Sequence, residues 1–101
     1  MTDFKIGNLV RINGLFTNHD RTIFALLDFH FIDRDAEIVN LVLLDCHSKW
    51  VVVYAWEVRV VYQSLVSIPD EDFSSIFHEL TPSLQLEVKK WKKQPIFSQE
   101  A

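Results

Sequence analysis

The chain has 101 residues, 49% of them hydrophobic and 24% charged, which is ordinary for one globular domain. This composition excludes a disordered acidic chain, and two glycines and three prolines exclude collagen-like and low-complexity sequences. The net charge of -4 disfavours nucleic-acid binding, because neutralisation of phosphates by basic side chains drives that binding.

Strand patterns fill the chain from residue 9 to residue 62. Short runs of β-branched and aromatic residues, bounded by turn residues, predict strands over residues 9–12, 22–31, 37–45, 49–54 and 57–62. In the second strand a period of two places Asp28 and His30 on one face and Leu27, Phe29 and Phe31 on the other.

The connections between these strands differ in length. The segments 32–36 and 45–48 are short and polar and predict turns. Ala55 to Glu57 leaves room for a single 3₁₀ turn between the last two strands. The long segment 13–21 predicts a loop in which Leu15 and Phe16 fold back onto the strands.

The character of the sequence changes to helical after Tyr62. Pro69 followed by three acidic residues starts one helix, whose apolar face would carry Phe73, Ile76, Phe77 and Leu80. Thr81 as N-cap and Pro82 at the first helical position start a second helix. Its predicted apolar face carries Leu84, Val88 and Trp91, so we expect this helix to dock on the strands.

These elements predict a mainly β protein with C-terminal helices. Four segments between residues 4 and 62 have a pattern in common with a known class of small barrels: Lys5 to Arg11, Leu41 to Asp45, Lys49-Trp50-Val51 and Trp56-Glu57-Val58. On these segments the chain resembles the small Src-homology-3-like β-barrels that occur in many bacteriophage proteins. The resemblance implies a five-stranded barrel over residues 1–66, with two short α-helices in a helical extension over residues 67–101 of the same domain. Barrels of this kind serve as adaptors, nucleic-acid binders and virion parts, so the fold alone does not select a function.

No complete catalytic or metal-binding set is visible. Cys46 and His47 are adjacent in sequence, whereas reactive pairs are defined by spatial geometry and a third orienting group. The other histidines, His19, His30 and His78, lack the ligand spacing of a metal site. We therefore expect no enzyme activity, no metal and no cofactor.

The single cysteine and the polar start of the chain bear on its location. One cysteine cannot form an intrachain disulfide, which favours a reducing, cytoplasmic setting. Residues 1–8 lack the apolar stretch of a signal peptide, and the apolar runs elsewhere are too short to cross a bilayer. No membrane association is expected.

The aromatic residues of the fourth strand form the first candidate site. Trp50, Tyr54 and Trp56 have even spacing, which places them on one face if the strand stays regular. Val51 and Val53 face the other way, so both faces are apolar and something must cover the outside. The favoured interpretation is that the C-terminal helices cover the aromatic residues; the alternative is a partner protein.

A cluster of basic residues forms the second candidate site. Lys89, Lys90, Lys92 and Lys93 flank Trp91, and basic residues around an aromatic ring suit a nucleic-acid backbone with a stacked base. The alternative interpretation is a solvated helix end whose cations complement the helix dipole.

The sequence therefore predicts a small non-enzymatic binding or assembly module that acts through protein–protein contacts. A homodimer is one expected outcome, because so many large apolar residues do not all fit inside one small core. The alternative is a nucleic-acid-binding barrel that uses the lysine cluster with Arg11, Arg34 or Arg59.

Overall fold

The structure is a computed structural model that describes residues 4–13, 21–46 and 49–90. Within these ranges the chain forms one antiparallel five-stranded sheet in the order β4-β3-β2-β1-β5. The strands are β1 (Leu9–Ile12), β2 (Phe24–Asp33), β3 (Ile38–Leu43), β4 (Val51–Tyr54) and β5 (Val58–Tyr62). The mainly β prediction and the five strands are confirmed, as is the 3₁₀ turn at Ala55–Glu57 between β4 and β5.

The sheet is open. In the described part of the chain no hydrogen-bonded pairing joins β4 to β5, which are its two edges. The predicted closure into a barrel is therefore not found. One buried cluster nevertheless contains residues from all five strands, so the sheet curls until its inner face packs against itself. That inner core comprises Phe4, Val10, Ile12, Phe24, Leu26, Val39, Leu41, Leu43, Val51, Val53, Ala55 and Val58.

Two irregularities in β2 change which of its side chains are buried. The pairing with β3 shifts between Leu26 and Asp28, and again between Phe31 and Asp33, so Leu27 and Ile32 are extra residues at bulges. Leu27 is 44% exposed, whereas Phe29 and Phe31 pack against the inner core. The prediction that Leu27 shares their face is wrong, because a period-two pattern does not register an inserted residue.

The helical segment packs on the outer face of the sheet at β1 and β2. It contains 3₁₀ turns at Leu65–Ser67, Asp70–Asp72 and Phe77–Glu79, a one-turn helix α1 (Phe73–Ile76), and helix α2 over residues 82–90. The two predicted short helices are confirmed, although the first is mostly 3₁₀. The outer core that they form comprises Leu9, Ile23, Ala25, Ile68, Phe73, Ile76, Leu80, Leu84 and Val88.

Three tertiary contacts fix the helices on this side. A parallel bridge joins Ile23 to Leu80, and the Ile23 N–H donates to the Glu79 carbonyl at 2.7 Å. Arg11 of β1 forms an ion pair with Glu79. Leu84 and Val88 are buried as predicted, whereas Trp91, predicted to share their face, lies outside the described residues.

The start of α2 is capped by a residue distant in sequence. Thr81 occupies the predicted N-cap position, since its carbonyl accepts from the Gln85 N–H at 2.9 Å. The capping side chain, however, is Asp45, which accepts from the Ser83 backbone N–H at 2.8 Å and from the Ser83 hydroxyl at 2.7 Å. Donation by the Ser83 hydroxyl lowers the pKa of the Asp45 carboxyl. The cap thereby ties the end of β3 to the start of α2.

Candidate functional site

The aromatic residues of β4 lie on the part of the outer face that the helices do not cover. Trp56 is 67% exposed, Tyr54 45% and Trp50 40%, and Val52 between them is also exposed. The favoured interpretation, in which the C-terminal helices cover these side chains, is wrong for the described helices, because they pack on the same outer face but over β1 and β2 rather than β4. We call Trp50, Val52, Tyr54 and Trp56 the aromatic strip.

Strand alternation and the 3₁₀ turn together position the aromatic strip. Val51 and Val53 point into the inner core, so Val52 and Tyr54 point outward. Trp56 lies in the 3₁₀ turn, which brings its ring onto that of Tyr54 with centroids 5.2 Å apart and planes 13° from parallel. Trp50 lies four residues before Tyr54, about 13 Å away along an extended chain. The predicted shared face is therefore a stacked pair at one end and a separate ring at the other.

A shallow pocket lies beside the stacked pair. Its volume is about 210 Å³, and it is lined by Ile38, Val52, Val53, Tyr54 and Glu57. Ile38 lies directly opposite Tyr54 in the β3–β4 pairing, and Asn40 lies opposite Val52. The Asn40 Oδ1 atom is buried and has no hydrogen-bond partner in the described part of the chain. The part of the outer face formed by β3 and β4 is thus mainly apolar and contains one buried amide oxygen, that of Asn40.

The backbone of β4 is paired on one side only. The Ala55 N–H donates to the Glu37 carbonyl at 2.7 Å, and this fixes the alternation of the β3–β4 hydrogen bonds. By that alternation the backbone groups of Val51 and Val53 point toward β3, whereas those of Val52 and Tyr54 point away, toward the open edge. Glu57 Oε1 accepts from the Tyr54 N–H at 2.9 Å, so this outward-pointing N–H is already hydrogen-bonded to a carboxylate. The Val52 N–H and carbonyl have no such partner among the described residues.

Acidic side chains share the outer face with the aromatic strip. Asp28 and Asp33 stand on the outer face of β2, opposite Val42 and Ile38 respectively, and His30 lies between them, opposite Asn40. Glu57 lines the pocket. Arg34 does not offset them, because its guanidinium lies 4.8 Å over the ring of Phe31, which packs against the inner core on the opposite face. Lys49 is exposed at the far end of β4, beside Trp50.

The lysine cluster is only partly described. Lys89 and Lys90 are exposed at the end of the described helix, and the Lys89 ammonium lies 5.7 Å from the centre of the Phe77 ring. Trp91, Lys92 and Lys93 lie outside the described residues. The predicted combination of lysines around a tryptophan therefore stays a prediction.

The remaining candidate residues have structural surroundings. Cys46 is half-buried and packs against the inner core, and His47 lies outside the described residues. Burial raises the pKa of Tyr62, whose hydroxyl donates to Asp72 Oδ2 at 3.0 Å; this contact holds β5 to the helical segment. No group of three or more metal-ligating side chains is placed to hold a metal ion in residues 4–13, 21–46 and 49–90.

Two residues of the site were not found from the sequence. The sequence predicts Ile38 in the third strand without a facing direction, and it predicts Glu57 only as part of the 3₁₀ turn and the start of the last strand. The available signal for Glu57 was its position three residues after Tyr54, the spacing at which an acidic side chain bonds back to the N-cap backbone.

Comparison of the chain with protein-family models, with curated proteins and with solved structures finds no match. None of the described helices has the length and apolar character needed to span a membrane.

Proposed function

We propose that the protein is a non-enzymatic binding module that holds a partner protein on the aromatic strip and the open edge of β4. The observation that carries this proposal is the stacked pair of Tyr54 and Trp56, exposed beside a strand edge with unpaired backbone groups. Tyrosine and tryptophan are the residues most enriched at the centres of protein interfaces. An edge strand adds main-chain donors and acceptors that an extended segment pairs with.

The second edge of the sheet supports this assignment by contrast. β5 also has an unpaired side, but it offers no comparable exposed ring. Tyr62 is bonded to Asp72, and Val60 packs against the inner core. Among the described residues, the large exposed aromatic side chains are therefore concentrated at β4 and the 3₁₀ turn that follows it.

We extend the proposal to the fold family, the location and the self-association of the protein. We place the open, curled sheet among the small Src-homology-3-like barrels, supported by the five short strands and the 3₁₀ turn between β4 and β5. The resemblance supports a phage-encoded protein. The free cysteine Cys46 supports a location in the reducing cytoplasm of the host. Self-association as a homodimer is part of the same proposal, because the aromatic strip is available to a second copy.

Nucleic-acid binding is the second candidate, and the contacts of three of its described basic residues give it less support. Arg11 is paired with Glu79, Arg34 lies on Phe31, and Lys89 lies on Phe77, whereas Arg59 and Lys90 are exposed. Changing Lys89, Lys90, Lys92 and Lys93 to glutamine distinguishes the two. Loss of a salt-sensitive affinity for DNA or RNA in a folded variant would establish the second candidate.

A random peptide library selected on the immobilised full chain tests the proposal. Enriched peptides are synthesised, and their dissociation constants are measured for the wild type and for the double variant Tyr54→Ala/Trp56→Ala. We expect the double variant to bind at least about tenfold more weakly, because truncating central aromatic side chains removes most of the binding energy at such interfaces.

Leu86→Ala is the matched control, since Leu86 is an exposed apolar residue on α2, away from the strip. It should leave the dissociation constants unchanged. Peptides that bind the wild type and the double variant equally, or a selection that enriches nothing, would contradict the proposed function.

A further inference from the structure

We infer that the partner segment is an extended basic peptide that adds a strand to the edge of β4 and places an arginine or lysine side chain on Trp56 and Glu57. This inference rests on the proposed function and names the chemical class of its ligand. It follows from three features of the site: the backbone groups at the edge, the charge around the strip, and the free side of the stacked pair.

The backbone groups at the edge of β4 select an extended ligand. The Val52 N–H and carbonyl point outward with no partner among the described residues, and a peptide strand supplies the complementary pair. The next outward N–H along the strand, that of Tyr54, is held by the Glu57 carboxylate. An added strand therefore pairs fully at Val52 and meets a carboxylate at Tyr54.

The charge around the aromatic strip selects a basic ligand. Asp28, Asp33 and Glu57 lie on or beside the outer face of β2, β3 and β4, while Arg34 is directed to the inner face and Lys49 lies at the far end of β4. Complementary charge speeds encounter and suppresses partners of the same sign. A second copy of the chain would bring the same acidic residues against this face, so the arrangement favours a basic partner over self-pairing.

The stacked pair provides the position for one cationic side chain. Tyr54 covers one side of the Trp56 ring, and Trp56 remains 67% exposed. A guanidinium or ammonium group within about 6 Å of an indole ring is attracted by its π-electrons. Glu57 follows Trp56 directly and supplies the carboxylate for a charge-assisted hydrogen bond to the same group.

Three synthetic peptides test the inference with the full chain. Each alternates valine with a second residue, which is arginine, glutamine or glutamate. We expect the arginine peptide to bind about tenfold more tightly than the glutamine peptide, and the glutamate peptide to bind more weakly than both. The advantage of the arginine peptide should shrink as salt rises from low to physiological concentration.

A pair of protein variants distinguishes the charge at the site from the net charge of the protein. A modified peptide distinguishes strand pairing from side-chain contact. Glu57→Gln should weaken the arginine peptide about threefold to tenfold and leave the glutamine peptide unchanged, because the amide oxygen can still accept from Tyr54. Glu71→Gln removes the same charge from an exposed position on the helical segment and should change neither. Backbone N-methylation of the arginine peptide should abolish binding by removing its strand-pairing donors.

The outcomes distinguish this inference from the proposed function. If the glutamine peptide binds as tightly as the arginine peptide, or if the Glu57 and Glu71 variants behave alike, the basic ligand is excluded while the proposed function stands. If library-selected peptides bind but none of the three designed peptides does, the inference is likewise overturned. If no peptide responds to Tyr54→Ala/Trp56→Ala, the proposed function itself is overturned.

Discussion

The outer face of this sheet has two halves that differ in what covers them. Over β1 and the start of β2, the outward side chains Leu9 and Ala25 are buried by the helical segment. Over β4, the outward side chains Val52 and Tyr54 are also apolar or partly apolar and remain exposed, and the outward side chains of β3 are half-buried. Side-chain character alone therefore does not decide which half becomes core.

The difference lies in where the helices are attached. The bridge from Ile23 to Leu80, the Arg11–Glu79 ion pair and the Asp45 cap on Ser83 all hold the helical segment toward β1 and the ends of β2 and β3. No comparable contact between the helices and β4 occurs among the described residues. The covered half contributes to stability, and the exposed half is available for binding.

The largest expected effect is in the covered half. Leu84→Ala should reduce the free energy of unfolding by about 2–5 kcal/mol, because Leu84 is buried in the outer core and its truncation leaves a cavity. Urea unfolding followed by circular dichroism measures it. A loss below about 1 kcal/mol would mean that the helical segment is not packed as described.

The exposed half should respond much less to a larger truncation. Tyr54→Ala/Trp56→Ala removes two rings, yet we expect the free energy of unfolding to change by no more than about 1 kcal/mol, since neither residue belongs to a buried core cluster and they are 45% and 67% exposed respectively. The same urea titration checks this. A loss as large as that of Leu84→Ala would show that the stacked pair is part of the core.

The Asp45 cap at the start of α2 should make a pH-dependent contribution to the free energy of unfolding. The pKa of Asp45 is lowered in the folded protein, so its ionised form adds stability that is fully present above the unfolded value of 3.8 and is lost as pH falls through the folded value. Asp45→Asn keeps a residue that tolerates the positive φ of 67°. We expect it to lower the free energy of unfolding by less than about 1 kcal/mol near neutral pH.

The control for this prediction is the same comparison in strong acid. There the wild type and Asp45→Asn should have equal stability, because both side chains are neutral. A difference that does not depend on pH would assign the effect to geometry rather than to the charge of Asp45.

Self-association should be the smallest effect. A dimer formed through the aromatic strip brings acidic residues together, so we expect weak association that strengthens with salt as repulsion is screened. Sedimentation equilibrium at two salt concentrations measures it, with Trp56→Ala as the variant that reduces it. A strict monomer at high protein concentration in both salts would remove the homodimer.

The sequence predicts the elements well because local patterns encode them. Alternating burial in β3 and β4 follows from period two, and the buried positions Phe73, Ile76 and Leu80 follow from helical spacing. The exposure of Leu27 was not predicted, because a bulge inserts one residue and leaves no mark in the hydrophobic pattern.

The candidate site was predictable in its residues but not in its environment. Even spacing identifies Tyr54 and Trp56 as neighbours, and they do stack. Whether the helices reach them depends on long-range contacts such as Asp45 with Ser83, which lie 38 residues apart and have no local signal. For the same reason the N-terminal cap of α2 was assigned to Thr81 alone.

Amide hydrogen exchange at β4, measured with and without the arginine–valine peptide, shows whether this strand has an open edge that accepts a further strand. In the free protein we expect slow exchange at Val53, whose N–H points toward β3, and fast exchange at Val52, whose N–H points to the open edge. Binding should slow exchange at Val52 and leave buried positions of α2, such as Val88, unchanged. Slow exchange at Val52 in the free protein, or no change there on binding, would contradict an exposed, strand-accepting edge.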